Sequence, residues 1–284
     1  MEKAKLIRIS VRNLVEFILR EGDIDNRIAS IAEKDAMQLG SRIHRKIQRQ
    51  MGSNYHAEVP LKMQIPYEKF ILQVEGRADG IQEDEEGTLI DEIKGVQREL
   101  ERMKEPISVH LAQAKCYAYI YAKERELKQI SVQLTYCQMK TEEIKRFKEI
   151  YKVEELESWF LEIVNQYEKW VNFEIEWEKI RTNSIKEVEF PYEYRKGQKE
   201  LVTSVYKTIL RKKKLFIQAP TGVGKTMATV FPAVKAMGEG LGNKLFYLTA
   251  KTITRTVAEQ AFSHLKEKGL KMKTITLTAK AKIC

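Results

Sequence analysis

The sequence predicts an α/β protein of two domains, residues 1–182 and 183–284. Three observations carry that expectation. A chain of 284 residues is about twice the ~150 of a typical single domain. Hydrophobic periodicity switches between helical and alternating through the first part, then restarts as strand–helix alternation after the polar stretch RTNSIKE (181–187). A composition of 43% hydrophobic and 32% charged residues belongs to a globular chain and excludes a disordered tail or a membrane protein.

Each element follows from its local pattern. LIRISV reads as an opening strand, and 11–20 and about 34–51 carry apolar residues at helical spacing. Between 57 and 96 the runs EVPLKMQI, FILQVEGRAD and TLIDEIKGV alternate and are broken by Pro66, Gly80 and EDEEG, which predicts an antiparallel or meandering sheet. A helix over about 109–126, the strand ISVQLTYCQM and a long charged helix over about 153–179, bearing Trp159, Trp170 and Trp177, complete the first domain. RTNSIKE reads as the linker, with the boundary near Thr182. From Arg195 the order is helix, strand KLFIQ, glycine loop, helix, strand KLFYLT, helix, strand TITLT, the alternation of a parallel sheet wrapped by helices.

Charge narrows the partners. Fifty Lys and Arg against 40 Asp and Glu leave +10, which favours a polyanion such as nucleic acid. Cys116, Cys137 and Cys284 are too few and too scattered for a disulfide framework, so a reducing cytoplasm is expected. MEKAKLIRIS lacks the apolar core of a signal peptide, and no run approaches the ~18 apolar residues of a membrane span.

Ala219-Pro220-Thr221-Gly222-Val223-Gly224-Lys225-Thr226 follows the apolar run LFIQ and precedes a helical pattern, the setting of a phosphate-binding loop. Gly222 and Gly224 free backbone amides to face a phosphate, Lys225 reaches the β and γ oxygens, and the Thr226 hydroxyl suits Mg²⁺. ATP is therefore the expected ligand, with Thr221 and Val223 in the same loop. With Phe190-Pro191-Tyr192, Arg195-Lys196-Gly197-Gln198, Thr254-Arg255-Thr256 and Gln260, the segment resembles superfamily 2 DNA helicases of the DinG/XPD iron–sulfur type. That resemblance implies that Gln198 contacts adenine and that Cys284 is the first ligand of a 4Fe–4S cluster. After Lys225 the only acids are Glu239, Glu259 and Glu267, and none forms the acid pair a motor ATPase needs. The expectation is the N-terminal part of a longer helicase, with an incomplete P-loop (RecA-like) parallel-sheet domain.

The first domain carries a second constellation. Gly76-Arg77-Ala78-Asp79 closes one strand-like run and Asp91-Glu92-Ile93-Lys94 the next. Strand alternation puts Glu92 and Lys94 on one face and turns Asp91 and Ile93 away, so two carboxylates and a lysine gather as in a D…ExK site holding Mg²⁺ or Mn²⁺. Gly40-Ser41-Arg42-Ile43-His44 puts an imidazole on a preceding helix, and Gln113 and Tyr117 lie one turn apart on a later one. The ordered set resembles RecB-type nucleases of the PD-(D/E)xK superfamily over nearly all of residues 1–180. The resemblance implies that His44, Asp79 and Glu92 bind metal, that Lys94 is catalytic, and that Gln113 and Tyr117 shape the DNA site.

Together these readings imply an ATP-dependent DNA helicase with a fused Mg²⁺-dependent nuclease, acting in DNA repair or processing on single strands or on duplexes with single-stranded ends. The alternative is a DNA-binding ATPase module whose nuclease fold is inactive.

Overall fold

A computed structural model of the protein describes residues 4–21, 33–250 and 252–278. The chain divides into two compact units, residues 1–172 and 173–284.

The first unit is α/β. Its elements are β1 (Lys5–Ser10), α1 (Val11–Ile18), α2 (Glu33–Arg49), β2 (Tyr55–Pro66), β3 (Phe70–Asp84), β4 (Gly87–Val96), a single 3₁₀ turn (Leu100–Arg102), α3 (Ser108–Glu124), β5 (Gln129–Gln138), β6 (Ile144–Lys152) and the start of α4 (Val153–Glu187). β2, β3 and β4 form the expected antiparallel meander. β1 pairs parallel with β3 and β4 parallel with β5, so the whole sheet is mixed. Local alternation fixes which face a residue takes and says nothing of which distant strand it will meet.

β3 decides where the cleft lies. One of its edges is covered along 71–82 by β2. The other edge pairs with β1 over 70–75 and with β4 only from Gly80 onward. Residues 76–79, the GRAD stretch, are left between two departing neighbours, and Asp79 stands where β4 leaves the ladder.

Helices seal the sheet. Ser10 ends β1 and caps α1, its Oγ accepting from the Asn13 amide at 3.1 Å, and Val11, Leu14 and Val15 are buried. Ile43 and Ile47, one turn apart on α2, pack with Ile93 and Cys137. α3 is buried along most of its length, from Ala112 to Ala122. Among the described residues β6 pairs only with β5, and it is mostly exposed; its charged sequence IKRFKEIYK suits an edge strand and hides it from hydrophobic patterning.

In the second unit, RTNSIKE is no linker but the last turns of α4. Ile185 is buried with Val188, Val230, Phe231, Val234 and Leu265. Lys235 Nζ donates to the carbonyls of Ile185, Lys186 and Val188 at 2.8, 3.1 and 3.0 Å, satisfying acceptors at the helix end. Polar composition suggested a loop; tertiary partners make it helix.

α5 (Gln198–Leu210), α6 (Lys225–Gly238) and α7 (Thr252–Glu267) follow as expected. The parallel sheet does not: among the described residues, KLFIQ, KLFYLT and TITLT have no strand ladder. Phe216 is 93% and Leu248 89% exposed, where strands buried on both faces would hide them. An apolar run records a segment's need for cover, but the ladder depends on neighbours that the run itself does not specify.

Candidate metal centre and phosphate loop

The divergence of β3 from β4 builds the first site. The ladder ends at Gly80 opposite Asp91, so the next amide of β4 facing β3 is free to find another acceptor. The Ile93 N–H donates to Asp79 Oδ2 at 2.8 Å and pins that carboxylate across the fork. As alternation requires, Glu92 and Lys94 lie together, with Lys94 Nζ donating to Glu92 Oε1 at 2.7 Å. Ile93 goes to the α2 contact and Asp91 to a separate network.

The helices add the rest. Because Ile43 and Ile47 anchor α2, the adjoining stripe of His44 and Gln48 overlies Asp79. His44 Nδ1 lies 3.3 Å from Asp79 Oδ1, and Gln48 Nε2 donates to the Asp79 carbonyl at 2.9 Å. From α3, Gln113 Oε1 accepts from Lys94 Nζ at 3.2 Å. Tyr117 bonds Gln113 and lies against Gly76, where a Cβ would come within 2.6 Å of its hydroxyl. The structure thus brings His44, Asp79, Glu92, Lys94, Gln113 and Tyr117 into one neighbourhood.

Electrostatics mark Glu92 as the unusual member. It is 1% exposed, and its Oε2 is buried without a hydrogen-bond partner. Burial first, then the Asp79 charge, pushes its carboxyl up to about 8 against the pull of Lys94. Burial, with Glu92 beside it, also raises the Tyr117 phenol. An orphaned buried carboxylate oxygen beside the Asp79 carboxylate, which itself carries the His44 imidazole, is a donor pair that fits a divalent cation of the Mg²⁺ or Mn²⁺ class.

Sequence reasoning missed three features here. Gln48 was findable, one turn after His44. Glu58 of β2 has no motif to announce it, yet His44, Glu58 and Asp79 each offer an atom mutually within 4.8 Å. Asp91, fully buried, accepts from Thr135 Oγ1 at 2.6 Å and from Tyr55 at 3.3 Å. Burial raises its carboxyl while these donors pull it down. His110 sits 3.1 Å from the Tyr136 hydroxyl, and burial lowers it to about 4.

The second site lies in the second unit. Gly222 (φ 86°) and Gly224 (φ 78°) take the left-handed conformation, and Gly224 caps α6. Lys225 Nζ donates to the carbonyls of Ala219 and Pro220 at 2.9 and 2.7 Å, so its ammonium stays over the loop. Thr221, Val223 and Thr226 complete the turn into the helix. Gln198 is 3% exposed; its Oε1 accepts from the Arg195 amide at 3.1 Å and its Nε2 reaches the Gly224 carbonyl at 3.4 Å. A Cβ on Gly224 would fall 2.4 Å from that Nε2. Arg195 also donates to the Gly222 carbonyl. Free amides at a helix N-terminus with a lysine poised above them suit a nucleotide phosphate. Cys284, the expected cluster ligand, lies outside the described residues.

No described helix is long and apolar enough to cross a membrane. Among curated proteins none matches the chain. Of solved structures, "Crystal structure of SSO0001" is similar at 19% identity and a TM-score of 0.36, over 52% of this chain and 67% of that one. Residues 196–282, which contain the phosphate loop, match the family described as DEAD/DEAH box helicase, so this segment has the character of a DEAD/DEAH box helicase domain, with nucleotide and nucleic acid as its implied ligands.

Proposed function

We propose that the first unit, residues 1–172, is a divalent-cation-dependent DNA nuclease joined to the ATP-binding start of a helicase of the DinG/XPD kind, and that the motor serves the nuclease by delivering single strands. The observation that carries the nuclease reading is the buried, unpartnered Glu92 Oε2 beside Asp79 and Lys94 at the β3–β4 fork. Leaving that buried oxygen unmet costs free energy that a bound cation would offset.

The reaction is hydrolysis of a phosphodiester, in which a water oxygen bonds to phosphorus in line with the departing sugar oxygen. A bound Mg²⁺ or Mn²⁺ supplies positive charge for the crowded phosphate and eases deprotonation of water. Asp79 and Glu92, with His44 beside Asp79, would hold that charge in place. Lys94, fixed between Glu92 and Gln113, brings an ammonium to the cleft for a phosphate oxygen. Gln113 and Tyr117 keep Lys94 from swinging away. On the outer side of α2, Arg42, Arg45, Lys46 and Arg49 line one surface depression, a basic track for the backbone of the DNA. In the helicase segment, Gln198 contacts adenine and Lys225 with Thr226 binds the phosphates and Mg²⁺.

The test is degradation of labelled single- and double-stranded DNA by the whole chain with and without Mn²⁺. Cleavage that needs the ion and disappears in Asp79→Ala and Glu92→Ala is the expected result. Cleavage that survives both substitutions overturns the site. DNA binding without cleavage selects the inactive gripping module instead.

A further inference from the structure

Asp79 and Glu92 are the first facing residues of β3 and β4 that do not join the ladder: the last rung is Gly80–Asp91, and one step beyond it the strands part. The spread of the fork at that step sets the distance between the two carboxylates, so whatever holds the last rung also sets the cleft. The rung is held from the opposite face of the sheet. Asp91, which alternation turns away from Glu92, is fully buried, and its hydrogen-bond partners are neutral donors. Thr135 of β5 donates to its Oδ1 at 2.6 Å. Gln133, on the same strand, donates to Thr135 Oγ1 at 3.3 Å and to Asp91 itself. From the other side Tyr55 of β2 donates to Asp91 Oδ2 at 3.3 Å.

β2 and β4 flank β3 on its two edges, so a side chain that joins them must lie over the backbone of β3. Gly80 leaves the space, since a Cβ there would fall 1.8 Å from the Tyr55 hydroxyl. Tyr55, Asp91 and Thr135 therefore tie β2, β4 and β5 together at the rung where the fork opens. A position that had only to be filled would be served at less cost by an apolar side chain, because a buried carboxyl group must be desolvated. Directional hydrogen bonds give instead one fixed arrangement of the strands, which a cation held between two of them requires. We propose that Asp91, with Tyr55 and Thr135, is a positioning residue that sets the spacing of Asp79 and Glu92 for the cation, acting through the backbone from the far face of the sheet. This deepens the nuclease reading and rests on it.

The test uses Mn²⁺ alone, titrated by calorimetry into the whole chain without nucleic acid, in the wild type and in Tyr55→Phe, Thr135→Val and Thr135→Ser. Binding that Glu92→Gln abolishes marks the fork site. Tyr55→Phe keeps the ring over Gly80 and removes only the hydroxyl. Stoichiometry counts folded sites and affinity reports their geometry, so a merely structural role would lower the first and leave the second. The expected result is an affinity about tenfold weaker in Tyr55→Phe and in Thr135→Val, and within about threefold of wild type in Thr135→Ser, which keeps a hydroxyl. Wild-type affinity in either Tyr55→Phe or Thr135→Val overturns the proposal and leaves the nuclease reading in place. So does a Thr135→Ser variant as weak as Thr135→Val. If Thr135→Val does not fold, Tyr55→Phe decides alone. No Mn²⁺ binding by the wild type defeats both the proposal and the nuclease reading.

Discussion

Lys94 Nζ lies 2.7 Å from Glu92 Oε1, and the other oxygen of the same carboxylate is buried with no partner. One oxygen of the carboxylate meets the protein's own ammonium and the other meets no donor. Several consequences can be measured.

The first is a stability that falls as pH rises in metal-free protein. Glu92 titrates at about 8 in the fold, chiefly through burial, against about 4.5 when unfolded. Between those values the native state binds the extra proton, so raising the pH through this window removes stability, on the order of a few kcal/mol in all. Glu92→Gln should flatten the dependence, as denaturant midpoints at pH 5 and pH 8 would show. Since Mn²⁺ must displace that proton, its affinity should rise over the same range. An unchanged slope in Glu92→Gln would mean that the carboxyl is not the titrating group.

Gly80 is a second test. A Cβ there would lie 1.8 Å from the Tyr55 hydroxyl, which spans the glycine to reach Asp91. Gly80→Ala should destabilise the first unit by about 1–3 kcal/mol. Adding Tyr55→Ala should recover part of the loss in a double-mutant cycle, and strict additivity would show that the two do not meet.

The phosphate loop makes a third. Lys225→Ala removes the ammonium held over Ala219 and Pro220, and should weaken ATP binding about tenfold or more while leaving Mn²⁺ binding at the carboxylates intact. Gly224→Ala should do as much for a steric reason, since it meets both Gln198 and a positive φ. Fluorescent nucleotide titration separates these from wild type, and equal affinities would argue against a nucleotide site.

Lys235 supplies a fourth. It closes three carbonyls at the end of α4, and Lys235→Met should lower the melting temperature by removing about 1–2 kcal/mol. Hydrogen exchange at 184–188 should quicken. No change there would leave the helical course of RTNSIKE without its support.

The sequence and structure agree where local rules govern. Alternation alone separates Glu92 and Lys94 from Asp91 and Ile93, and one-turn spacing alone joins Gln113 to Tyr117. The phosphate loop was legible because its glycines are needed at positive φ. What escaped depends on tertiary partners. Glu58 owes its place to an unusual backbone angle and to Gln48, and the helical RTNSIKE to Lys235 and a buried Ile185. β6 escaped because its exposed, charged faces carry no burial signal. KLFIQ, KLFYLT and TITLT offer apolar strand patterns, yet among the described residues they carry no ladder.

The nuclease reading stands on a divalent cation held at the β3–β4 fork. The most direct measurement is anomalous diffraction from crystals of the chain grown with Mn²⁺. A manganese peak between Asp79 and Glu92, absent from Glu92→Gln crystals, is the predicted result. A cleft with no peak, and Lys94 alone facing the carboxylates, would contradict it.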